Sequence, residues 1–426
     1  MKIVVVGKGG REHALIKALL ESSSKDLKAN DKTPEIYAFP GSDAIFQLAK
    51  PVPANSLQEL ISWMSQQQID LCVAGEESYL VKDEGLANLC AEANIPCWGP
   101  KKQPAQLEAS KAFAKEFMFR HDIPTGSSVL TGSKQEALDA INNQYPTVLK
   151  FDGLAAGKGV MVCFTKEEAE EFLNEIFEEV RFGSGKVLVE EFLKGPEVSI
   201  FAAVSDDTYH ILTPARDYKR LEDGDKGPNT GGMGAVASPN LISAELLAEI
   251  EKNIVAPTVD GLVKDGLLYR GFLYFGLMLT PNGAKIIEYN CRFGDPECQA
   301  VMPLIQGDWV EFCHQGAQGD LKPELLVKQD AWSVCLVSAS HSYPRSSRNG
   351  DVITGFEAAQ AAGAEVYHAG TKLNQNNEWE TAGGRVLAVV AQGTSRQEAV
   401  AQAYKAAEHI NFDGRQYRTD IGTFNF

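Results

Sequence analysis

Residues 288–297, with the sequence EYNCRFGDPE, combine side chains that could hold a metal ion and an anion. The preceding run 284–287 (AKII) is typical of a β-strand, whose alternate side chains share a face, so Glu288, Asn290 and Arg292 should point the same way. A carboxylate and an amide oxygen at this spacing suit Mg²⁺ bound with nucleotide phosphates. A guanidinium beside them could bind a carboxylate or phosphate through two N–H groups. The alternative is a strand end that carries a surface ion pair.

A glycine-rich turn, residues 7–13 (GKGGREH), follows an apolar run and precedes a predicted helix. A helix that starts in such a turn directs free N–H groups and its positive dipole end at an anion, and Arg11 could add a charge-assisted hydrogen bond to a phosphate. The pattern is not the dinucleotide fingerprint, because Glu12 occupies the position of the third glycine. A plain tight turn is the alternative. We favour phosphate binding, because an arginine is a poor packing choice beside three glycines.

A second small-residue loop, residues 150–159 (KFDGLAAGKG), begins on a predicted strand. Small side chains allow backbone N–H groups to approach phosphates closely, and Lys150 and Lys158 stand near the two ends of the loop. The loop fails the Walker pattern, because three residues rather than four separate its first two glycines and Gly159 stands in place of Ser or Thr. It is therefore a phosphate-binding loop of another type or a flexible lid.

Two further polar segments could contact a nucleotide or a substrate. In residues 189–197 (VEEFLKGPE), neighbouring side chains point to opposite faces, so either Glu190 or Glu191 could reach a ribose hydroxyl or an adenine amine. Residues 217–220 (DYKR) precede the glycine-rich segment 224–234 (GDKGPNTGGMG), which has little apolar content, so its ordering would need another cause such as a ligand. The alternatives are a solvated strand end and a disordered connector.

The composition of the 426 residues favours a multidomain enzyme. A chain of this length is expected to form roughly two to four domains, and its 44% apolar content can supply their cores. A net charge of −17 argues against a nucleic-acid-binding protein, although basic side chains can still converge in one cleft. None of the eight cysteines forms a C-x-x-C pair or lies near a histidine cluster, so disulfide scaffolds and zinc sites are not expected.

No targeting or membrane-spanning segment is predicted. The apolar run at 3–6 is too short for a signal peptide. No stretch approaches the ~20 apolar residues that a membrane span requires. We therefore expect a soluble, cytoplasmic protein with neither a nucleic-acid partner nor a membrane partner.

Alternating strand and helix patterns supply the framework that must position these segments. We predict strands at 3–6, 35–39, 70–74, 147–150, 186–189, 271–279, 332–337 and 385–390. We predict helices at 11–20, near 243–265 and at 397–409. The alternation in residues 1–100 indicates a parallel sheet with ligands at the carboxyl ends of its strands. The run 271–279 is expected to be buried on both faces, and 331–426 returns to strand–helix alternation.

Taken in order along the chain, these segments resemble the ATP-grasp superfamily, and within it the phosphoribosylamine–glycine ligase (glycinamide ribonucleotide synthetase) family. The matching stretches are 7–14, 110–111, 121–124, 150–160, 190–193, 227–235, 271–274, 289–297, 368–372 and 383–385. They span nearly the whole chain. Stretches 227–235 and 289–297 are highly specific to this family, whereas the glycine-rich loops alone are not.

The resemblance implies an early reaction of de novo purine biosynthesis. ATP, glycine and 5-phosphoribosylamine would give ADP, phosphate and glycinamide ribonucleotide, through a glycyl phosphate intermediate. ATP and Mg²⁺ or Mn²⁺ would be the cofactors, with ATP between a small subdomain and the central sheet. Small molecules would be the partners of a monomer or weak dimer.

The resemblance also assigns roles to individual residues. The catalytic residues would be Arg292, Lys150, Asp217 and Lys219. The metal ligands would be Glu288 and Asn290. The ATP-binding residues would be Lys111, Lys150, Gly153, Gly157, Lys158, Gly159, Glu190, Glu191, Phe192, Leu193 and Glu197. The substrate-binding residues would be Gly9, Gly10, Arg11, Glu12, Gly41, Glu77, Arg220, Thr230, Gly231, Gly232, Arg292, Gly294 and Asp295.

Within these sets, Arg292 is expected to orient the glycine carboxylate, and Arg11 with its neighbouring glycines to take the substrate phosphate. Lys111 and Lys150 would contact the phosphates of ATP, and the loop 153–159 would close over them. Glu190, Glu191 and Glu197 would hold the adenosine.

The chain departs from the family pattern at several positions. Lys8 replaces a usual Asn, residues 76–78 (EES) replace a usual Pro-Glu-Ala, Phe151 replaces a small residue and Tyr218 replaces a common His. The strand at 271–280 offers no acid as the second metal ligand that many ATP-grasp enzymes use.

Three other functions compete with this ligase. Another ATP-grasp ligase would act on a different acid or amine. A nucleotide-binding regulator without catalysis would lack Glu288, Asn290 or Lys150, and all three are present. A dinucleotide-dependent oxidoreductase is opposed by the failed glycine fingerprint and would leave the other motifs unexplained.

The expected fold is an α/β and α+β multidomain structure. An N-terminal Rossmann-like (pre-ATP-grasp) domain would occupy 1–103. An ATP-grasp domain would occupy 104–330, with an inserted lid subdomain at about 124–195. A small C-terminal α/β domain would occupy 331–426.

Overall fold

The N-terminal part of the chain is a parallel sheet in the computed structural model, which describes residues 1–22, 33–153 and 159–423. Its strands are β1 Lys2–Gly7, β2 Glu35–Pro40, β3 Lys50–Pro51, β4 Leu71–Ala74 and β5 Cys97–Trp98, in the order β3-β2-β1-β4-β5. Its helices are α1 Gly10–Leu20, α2 Leu57–Gln67, α3 Ser78–Val81 and α4 Leu86–Glu92, with a 3₁₀ turn at Ile45–Gln47. The four apolar residues from Ile3 to Val6 are fully buried, as expected for a parallel strand covered on both faces. The predicted parallel sheet is confirmed.

A small antiparallel sheet follows. Its strands are β6 Ser128–Thr131, β7 Thr147–Phe151, β8 Val160–Cys163 and β9 Val187–Glu191, in the order β6-β9-β7-β8. The helices in this part of the chain are α5 Gln106–Ala109, α6 Lys111–Arg120, α7 Lys134–Ile141 and α8 Lys166–Phe177. Leu149 of the sheet and Phe172 and Leu173 of α8 belong to a separate apolar core. This sheet with its own core lies within residues 124–195, the segment predicted to form the lid subdomain.

The largest sheet has nine strands and is antiparallel. The strands of this part of the chain are β10 Glu197–Ser205, β11 Thr208–Ile211, β12 Ala215–Asp217, β13 Arg220–Glu222, β14 Lys226–Asn229, β15 Gly234–Ala237, β16 Arg270–Thr280, β17 Gly283–Asn290, β18 Ile305–Gly307, β19 Leu326–Lys328, β20 Trp332–Ala339, β21 Glu365–His368, β22 Thr371–Leu373, β23 Trp379–Thr381 and β24 Arg385–Gly393. The order in the large sheet is β17-β16-β10-β12-β15-β20-β24-β21, with β11 beside β10. The other six strands form the pairs β13-β14, β18-β19 and β22-β23.

Helices and short turns cover this sheet. They are α9 Ala244–Ile250, a π turn at Glu251–Val255, α10 Ala256–Lys264, α11 Glu297–Val301, α12 Trp309–Ala317, α13 Phe356–Ala361 and α14 Arg396–Ala407, with 3₁₀ turns at Met302–Leu304 and Pro323–Leu325. The helical segment predicted near 243–265 is confirmed. Residues 271–277 of β16 are buried, as predicted for a strand covered on both faces.

The C-terminal strands continue the antiparallel sheet of the middle region, because β15 pairs with β20. One sequence-based expectation differs from the structure: the glycine-rich segment 224–234 is not wholly a loop, because Lys226–Asn229 forms β14, which pairs with β13. Periodicity along one strand does not reveal which strand it pairs with, and that choice decides the sheet.

All eight cysteines are buried and free, as predicted. The sulfur atoms of Cys72, Cys90 and Cys97 lie within 4.8 Å of one another in the N-terminal core, a cluster that their sequence spacing did not indicate. In the parts of the chain that the structure describes, we find no helix with both the length and the apolar character needed to cross a bilayer.

Candidate active site

A cavity of about 690 Å³ lies where the parallel sheet, the small sheet and the large sheet meet. Side chains predicted as functional from widely separated segments line it. They are Gly9, Arg11, Glu12, Glu77, Lys150, Glu190, Glu191, Phe192, Leu193, Glu197, Asp217, Lys219, Arg220, Thr230, Gly231, Glu288, Asn290, Arg292, Gly294 and Asp295. The fold therefore brings most of the predicted residues into one site.

Glu288 and Asn290 line the cavity at the end of β17. A register shift between β16 and β17 leaves Ile287 as an extra residue, so Ile287 and Glu288 both border the cavity. Burial opposes ionisation of Glu288, but nearby ammonium groups, Lys219 foremost, hold the pKa of this carboxyl below its usual value. An ionised carboxylate next to an amide oxygen is a donor set that fits Mg²⁺ or Mn²⁺.

Lys150 is held in place by two oxygen acceptors. Its Nζ lies 2.9 Å from the Glu190 carboxylate and donates to the carbonyl oxygen of Ile287 at 2.9 Å. Lys115 reaches the same carboxylate at 3.3 Å. The Glu190 carboxylate therefore pairs with two buried ammonium groups, and each of these charges needs a countercharge. These partners differ from the adenosine that the sequence led us to expect. Glu191 is on the exposed face, where it accepts a hydrogen bond from the backbone N–H of Ser127 at 3.1 Å.

Lys111, at the start of α6, contacts the chain just after β7. Its Nζ donates to the carbonyl oxygen of Gly153 at 2.9 Å. The carbonyl oxygen of Gly159, just before β8, accepts a hydrogen bond from the backbone N–H of Phe151 at 2.8 Å. Lys111, Gly153 and Gly159 lie beside the cavity wall rather than on it. The predicted ligands Gly157 and Lys158 lie outside the described residues.

Lys219 stands among four acidic side chains. Its Nζ lies 3.0 Å from the Glu197 carboxylate and 3.5 Å from that of Glu288. Burial, together with the nearby negative charge of Glu297 and others, raises the pKa of Asp217 above its usual range, although Lys219 opposes the rise. Burial lowers the pKa of Lys219, but the surrounding carboxylates raise it by more. The net effect is a raised pKa, so this ammonium group stays charged. Lys219 therefore neutralises part of the negative charge beside Glu288 and Asn290, the predicted metal ligands.

Arg292 lies between two carboxylates from different elements. Its Nε is 3.2 Å from Glu77 and its Nη2 is 2.9 Å from Glu108, which belongs to α5. Its Nη1 also donates to the carbonyl oxygen of Phe293 at 3.3 Å. Burial opposes ionisation of Glu77, but the guanidinium groups of Arg292 and Arg11 lower its pKa to about 2. The remaining N–H groups of Arg292 are available to an anionic substrate in the cavity.

The turn between β1 and α1 has a different arrangement from the expected open phosphate site. The Glu12 carboxylate accepts hydrogen bonds from the backbone N–H of Gly9 at 2.7 Å and from Arg11 Nε at 2.6 Å. Arg11 Nη2 also contacts Glu77 at 3.5 Å. The side chains of Arg11 and Glu12 are almost fully buried. Because Glu12 folds back onto its own helix start, it supplies an anion for Gly9 and Arg11 within the chain.

The C-terminal part of the chain completes the other end of the cavity. Arg385 at the start of β24 places Nη2 3.1 Å from the Asp295 carboxylate, and its Nη1 donates to the carbonyl oxygens of Asp295 and Gly231 at 2.6 Å each. The backbone N–H of Gly231 donates to the hydroxyl oxygen of Tyr343 at 2.8 Å. Thr230 accepts from the Gly232 N–H at 3.0 Å. These contacts fix the two predicted substrate segments relative to each other.

Three of the predicted substrate glycines are packed against protein rather than placed on the wall. A side chain at Gly10 would lie 2.6 Å from Gln299 Nε2, and one at Gly232 would lie 2.5 Å from Pro296 Cδ. Gly41 has a φ of +70° and faces the ring of Phe46. These glycines allow close packing around the site, which is a structural reason for their residue type.

Several residues of the site received no role from the sequence. Glu108 and Tyr343 gave no sequence signal, because their contacts with the site come from segments that are remote in sequence. Arg385 lies in the matching stretch 383–385, and Glu297 closes the motif at 288–297, where it accepts from Ser199 Oγ at 3.3 Å. The family resemblance could therefore have indicated Arg385 and Glu297, whereas Glu108 and Tyr343 required the fold.

Family models match nearly the whole chain. Residues 1–108 match the model described as Phosphoribosylglycinamide synthetase, N domain. Residues 109–298 match the ATP-grasp (A) domain of the same family, and residues 333–424 match its C domain.

Curated relatives are similar along the same length. The chain is 42% identical over 426 residues to a phosphoribosylamine–glycine ligase of Caldanaerobacter subterraneus subsp. tengcongensis, with 99% of each chain covered. It is 41% identical over 433 residues to the protein of the same name from Nostoc sp., again with 99% of each covered. It is also 41% identical to the trifunctional purine biosynthetic protein adenosine-3 of Chironomus tentans, of which it spans 31%.

Solved structures show the same fold. A phosphoribosylamine–glycine ligase from Thermotoga maritima superposes with a TM-score of 0.84 at 33% identity, covering 99% of this chain and 100% of that one. The biotin carboxylase domain of a 2-oxoglutarate carboxylase from Hydrogenobacter thermophilus, solved with MgADP, superposes with a TM-score of 0.71 at 18% identity, covering 98% of this chain and 91% of that one. The second likeness supports the fold alone.

Proposed function

The chain belongs to the phosphoribosylglycinamide synthetase family, and from this we propose that it joins glycine to 5-phosphoribosylamine while ATP is cleaved to ADP and phosphate. The product would be glycinamide ribonucleotide, an intermediate of purine biosynthesis. The observation that carries the proposal is the convergence in one cavity of the metal-binding pair Glu288 and Asn290 with Lys150 and Arg292. These groups match the needs of a carboxylate that is activated by a phosphoryl group.

The first step would activate glycine. A carboxylate oxygen of glycine attacks the γ-phosphorus of ATP, the bond from that phosphorus to the bridging oxygen breaks, and glycyl phosphate and ADP form. Positioning and charge neutralisation carry most of such a step. We assign Lys150 and Lys111 to the phosphates, and Mg²⁺ or Mn²⁺ on Glu288 and Asn290 would supply further positive charge. The ion pair with Glu190 supports the role of Lys150, because it fixes that ammonium group at the cavity.

The second step would form the amide. The amine of phosphoribosylamine attacks the carbonyl carbon of glycyl phosphate, the bond from that carbon to the phosphate oxygen breaks, and the departing phosphate can take the proton that the amine loses. No side chain is then needed as a general base. Two bound substrates held at the correct distance make this attack effectively unimolecular, which is a large source of rate.

We assign Arg292 to the carboxylate of glycine. Its guanidinium lies on the cavity wall beside Asn290 and is fixed by Glu77 and Glu108. A fixed guanidinium can orient a carboxylate through two N–H groups, and its charge also favours the negative charge that develops on the reacting oxygens.

We assign Arg220, Thr230 and Asp295 to phosphoribosylamine. Within the described part of the chain, Arg220 makes no ion pair with a carboxylate; its Nη1 donates to the carbonyl oxygen of Gly227 at 2.9 Å. Arg11 is already balanced by Glu12 and Glu77. Arg220 is therefore the better candidate of the two for the substrate phosphate, and Asp295 would accept hydrogen bonds from ribose hydroxyls beside its contacts with Gln299 and Arg385.

We also propose that the enzyme works in the cytoplasm. All eight cysteines are free and buried, which suits a reducing compartment.

The test is phosphate release from ATP in the presence of Mg²⁺, glycine and freshly prepared phosphoribosylamine, with the product identified by mass spectrometry. We expect release that requires both co-substrates and a product with the mass of glycinamide ribonucleotide. Arg292→Ala is the matched inactive control. If folded protein that binds ATP releases no phosphate with this pair, the assignment is wrong, and a panel of other acids and amines would identify the true substrates.

A further inference from the structure

Glu108 contacts two consecutive residues of the active-site motif from outside the cavity. Its Oε2 accepts a hydrogen bond from the backbone N–H of Cys291 at 2.6 Å, and its Oε1 lies 2.9 Å from Nη2 of Arg292. The side chain is 8% exposed, and Glu108 is absent from the cavity wall. One carboxylate thus holds both the main chain at Cys291 and the guanidinium of Arg292.

The burial of this carboxylate needs a functional or structural reason. Burial raises the pKa of Glu108 to about 7, and the positive charge of Arg292 opposes that rise. A buried carboxylate is costly unless it is paired and hydrogen-bonded. Within the described residues Glu108 has one cationic partner, Arg292, whereas Glu77 divides its charge between Arg292 and Arg11.

The two carboxylates together define the direction of the guanidinium. Glu77 takes Nε and Glu108 takes Nη2, so rotation of the guanidinium about its bond to the side-chain stem would break one contact or the other. Glu77 belongs to the loop after β4 and Glu108 to α5, so Arg292 is fixed from two separate elements. Orientation within ~10–20° is what a two-point contact with a substrate carboxylate requires.

We propose that Glu108 is a positioning residue that orients Arg292 toward the carboxylate of the amino-acid substrate. This inference rests on the function proposed above. Glu108 does not touch the substrate; it acts through the guanidinium, and it joins the end of β17 to α5 so that the metal-binding pair and Arg292 keep a fixed separation.

The test is Glu108→Gln, which keeps the side-chain shape and one acceptor oxygen, so that the hydrogen bond from the Cys291 N–H can persist, but removes the charge and the second oxygen, which faces Nη2 of Arg292. We expect the KM for glycine to rise by about tenfold. The KM for ATP should stay within about twofold and the Tm within a few degrees, because the ATP site and the hydrogen bond to Cys291 are retained. Glu251→Gln is a matched control, since that carboxylate accepts from the Tyr209 hydroxyl at 3.1 Å and lies off the cavity.

A double-mutant cycle separates positioning from a structural role. In an Arg292→Lys background, Glu108→Gln should change the affinity for glycine less than about twofold, because there is no guanidinium left to orient. Glycine binding in the presence of a non-hydrolysable ATP analogue, measured by calorimetry, supplies the affinities for variants with slow turnover.

Each outcome decides a different point. If the wild-type enzyme makes no glycinamide ribonucleotide, the proposed function fails. If the wild type is active and Glu108→Gln leaves the KM for glycine unchanged, the positioning role is wrong while the function stands. An equal rise in the KM for glycine and the KM for ATP, together with a lowered Tm, would also overturn the positioning role. Additive effects of the two substitutions in the double-mutant cycle would do the same.

Discussion

The guanidinium of Arg385 reaches from the C-terminal strand β24 to the carboxylate of Asp295, with 3.1 Å between Nη2 and Oδ2. The same side chain donates through Nη1 to the carbonyl oxygens of Asp295 and Gly231. Asp295 belongs to the motif that also carries Glu288 and Asn290, the predicted metal ligands, and Gly231 follows the hairpin β13-β14. The C-terminal region therefore contributes directly to the geometry of the candidate active site.

Replacement of Arg385 should impair the use of phosphoribosylamine more than the binding of ATP. Arg385→Ala removes three contacts to the two substrate segments, and we expect kcat/KM for phosphoribosylamine to fall by about 10²-fold, since small misplacements near a reacting group cost that much. The KM for ATP should change little. Steady-state kinetics with each substrate varied in turn check this. The milder substitution Tyr343→Phe removes the hydroxyl that accepts from the Gly231 N–H, and its kcat/KM for phosphoribosylamine should lie between those of the wild type and Arg385→Ala. Equal changes in kcat/KM for ATP and for phosphoribosylamine would contradict the prediction.

Glu288→Gln should weaken metal binding. The amide keeps one oxygen ligand but lacks the charge, so the Mg²⁺ concentration for half-maximal activity should rise by about 10–100-fold. Titration of activity with Mg²⁺ and separately with Mn²⁺ measures the change and also decides which ion serves better. Glu380→Gln is a suitable control, because that carboxylate pairs with Lys372 at 2.9 Å and is absent from the cavity wall. An unchanged metal requirement would show that Glu288 is not a ligand.

Lys150 and Glu190 should behave as a unit. Lys150→Met is expected to lower kcat by about 10²–10³-fold, as for the loss of one preorganised electrostatic contact. Glu190→Gln should raise the KM for ATP by a smaller factor, because the carbonyl oxygen of Ile287 still accepts from Lys150 Nζ. ATP binding by calorimetry and turnover by phosphate release measure the two effects. Full activity in Lys150→Met would exclude a role in phosphate contact.

Gly307→Ala should destabilise the fold without touching the site. Gly307 has a φ of +133°, and a Cβ there would lie 2.0 Å from the backbone oxygen of Leu325, which cannot move aside easily. We expect a loss of about 2–4 kcal/mol in the free energy of unfolding, from backbone strain and overpacking together. Urea unfolding measures it. Gly132→Ala is the control, since its nearest neighbour is an ordinary 3.5 Å away; equal stability of the two variants would count against the prediction.

Glu77 should contribute stability that depends on pH. Its pKa is lowered from 4.5 to about 2 in the folded protein, so the contribution is present above pH 4.5 and is lost as the pH falls toward 2. Glu77→Gln should therefore lose on the order of 1–3 kcal/mol at pH 7, with a difference from the wild type that shrinks below pH 4.5. Urea unfolding at pH 7, 4 and 3 tests this. The exposed Glu84→Gln should show no such trend, and a constant difference for Glu77→Gln would refute the electrostatic origin.

Local patterns were sufficient for the elements that carry the chemistry. The apolar runs at 3–6 and 271–279 lie in strands, as predicted, because short apolar runs bounded by turn residues suit strands that are covered on both faces. The hairpin β13-β14 was missed, because glycine and proline in that segment indicate turns and its pairing depends on Arg220 meeting Asn229. The partners of Glu190 were also missed, because Lys115 and Lys150 are brought to it by the packing of α6 and β7.

The sequence by itself determined the family of this protein and predicted its chemical inventory: a carboxylate–amide pair for a metal, lysines for phosphates, and Arg292 for an anion. Residue types and short spacings indicate such groups directly, because a strand or a turn fixes the relative positions of side chains that are only a few residues apart. Only the tertiary structure decided which charges remain available to substrates. Arg11 is balanced by Glu12 and Arg292 is fixed by Glu108, contacts that depend on distances across the fold, and the strength of each ion pair depends on its burial.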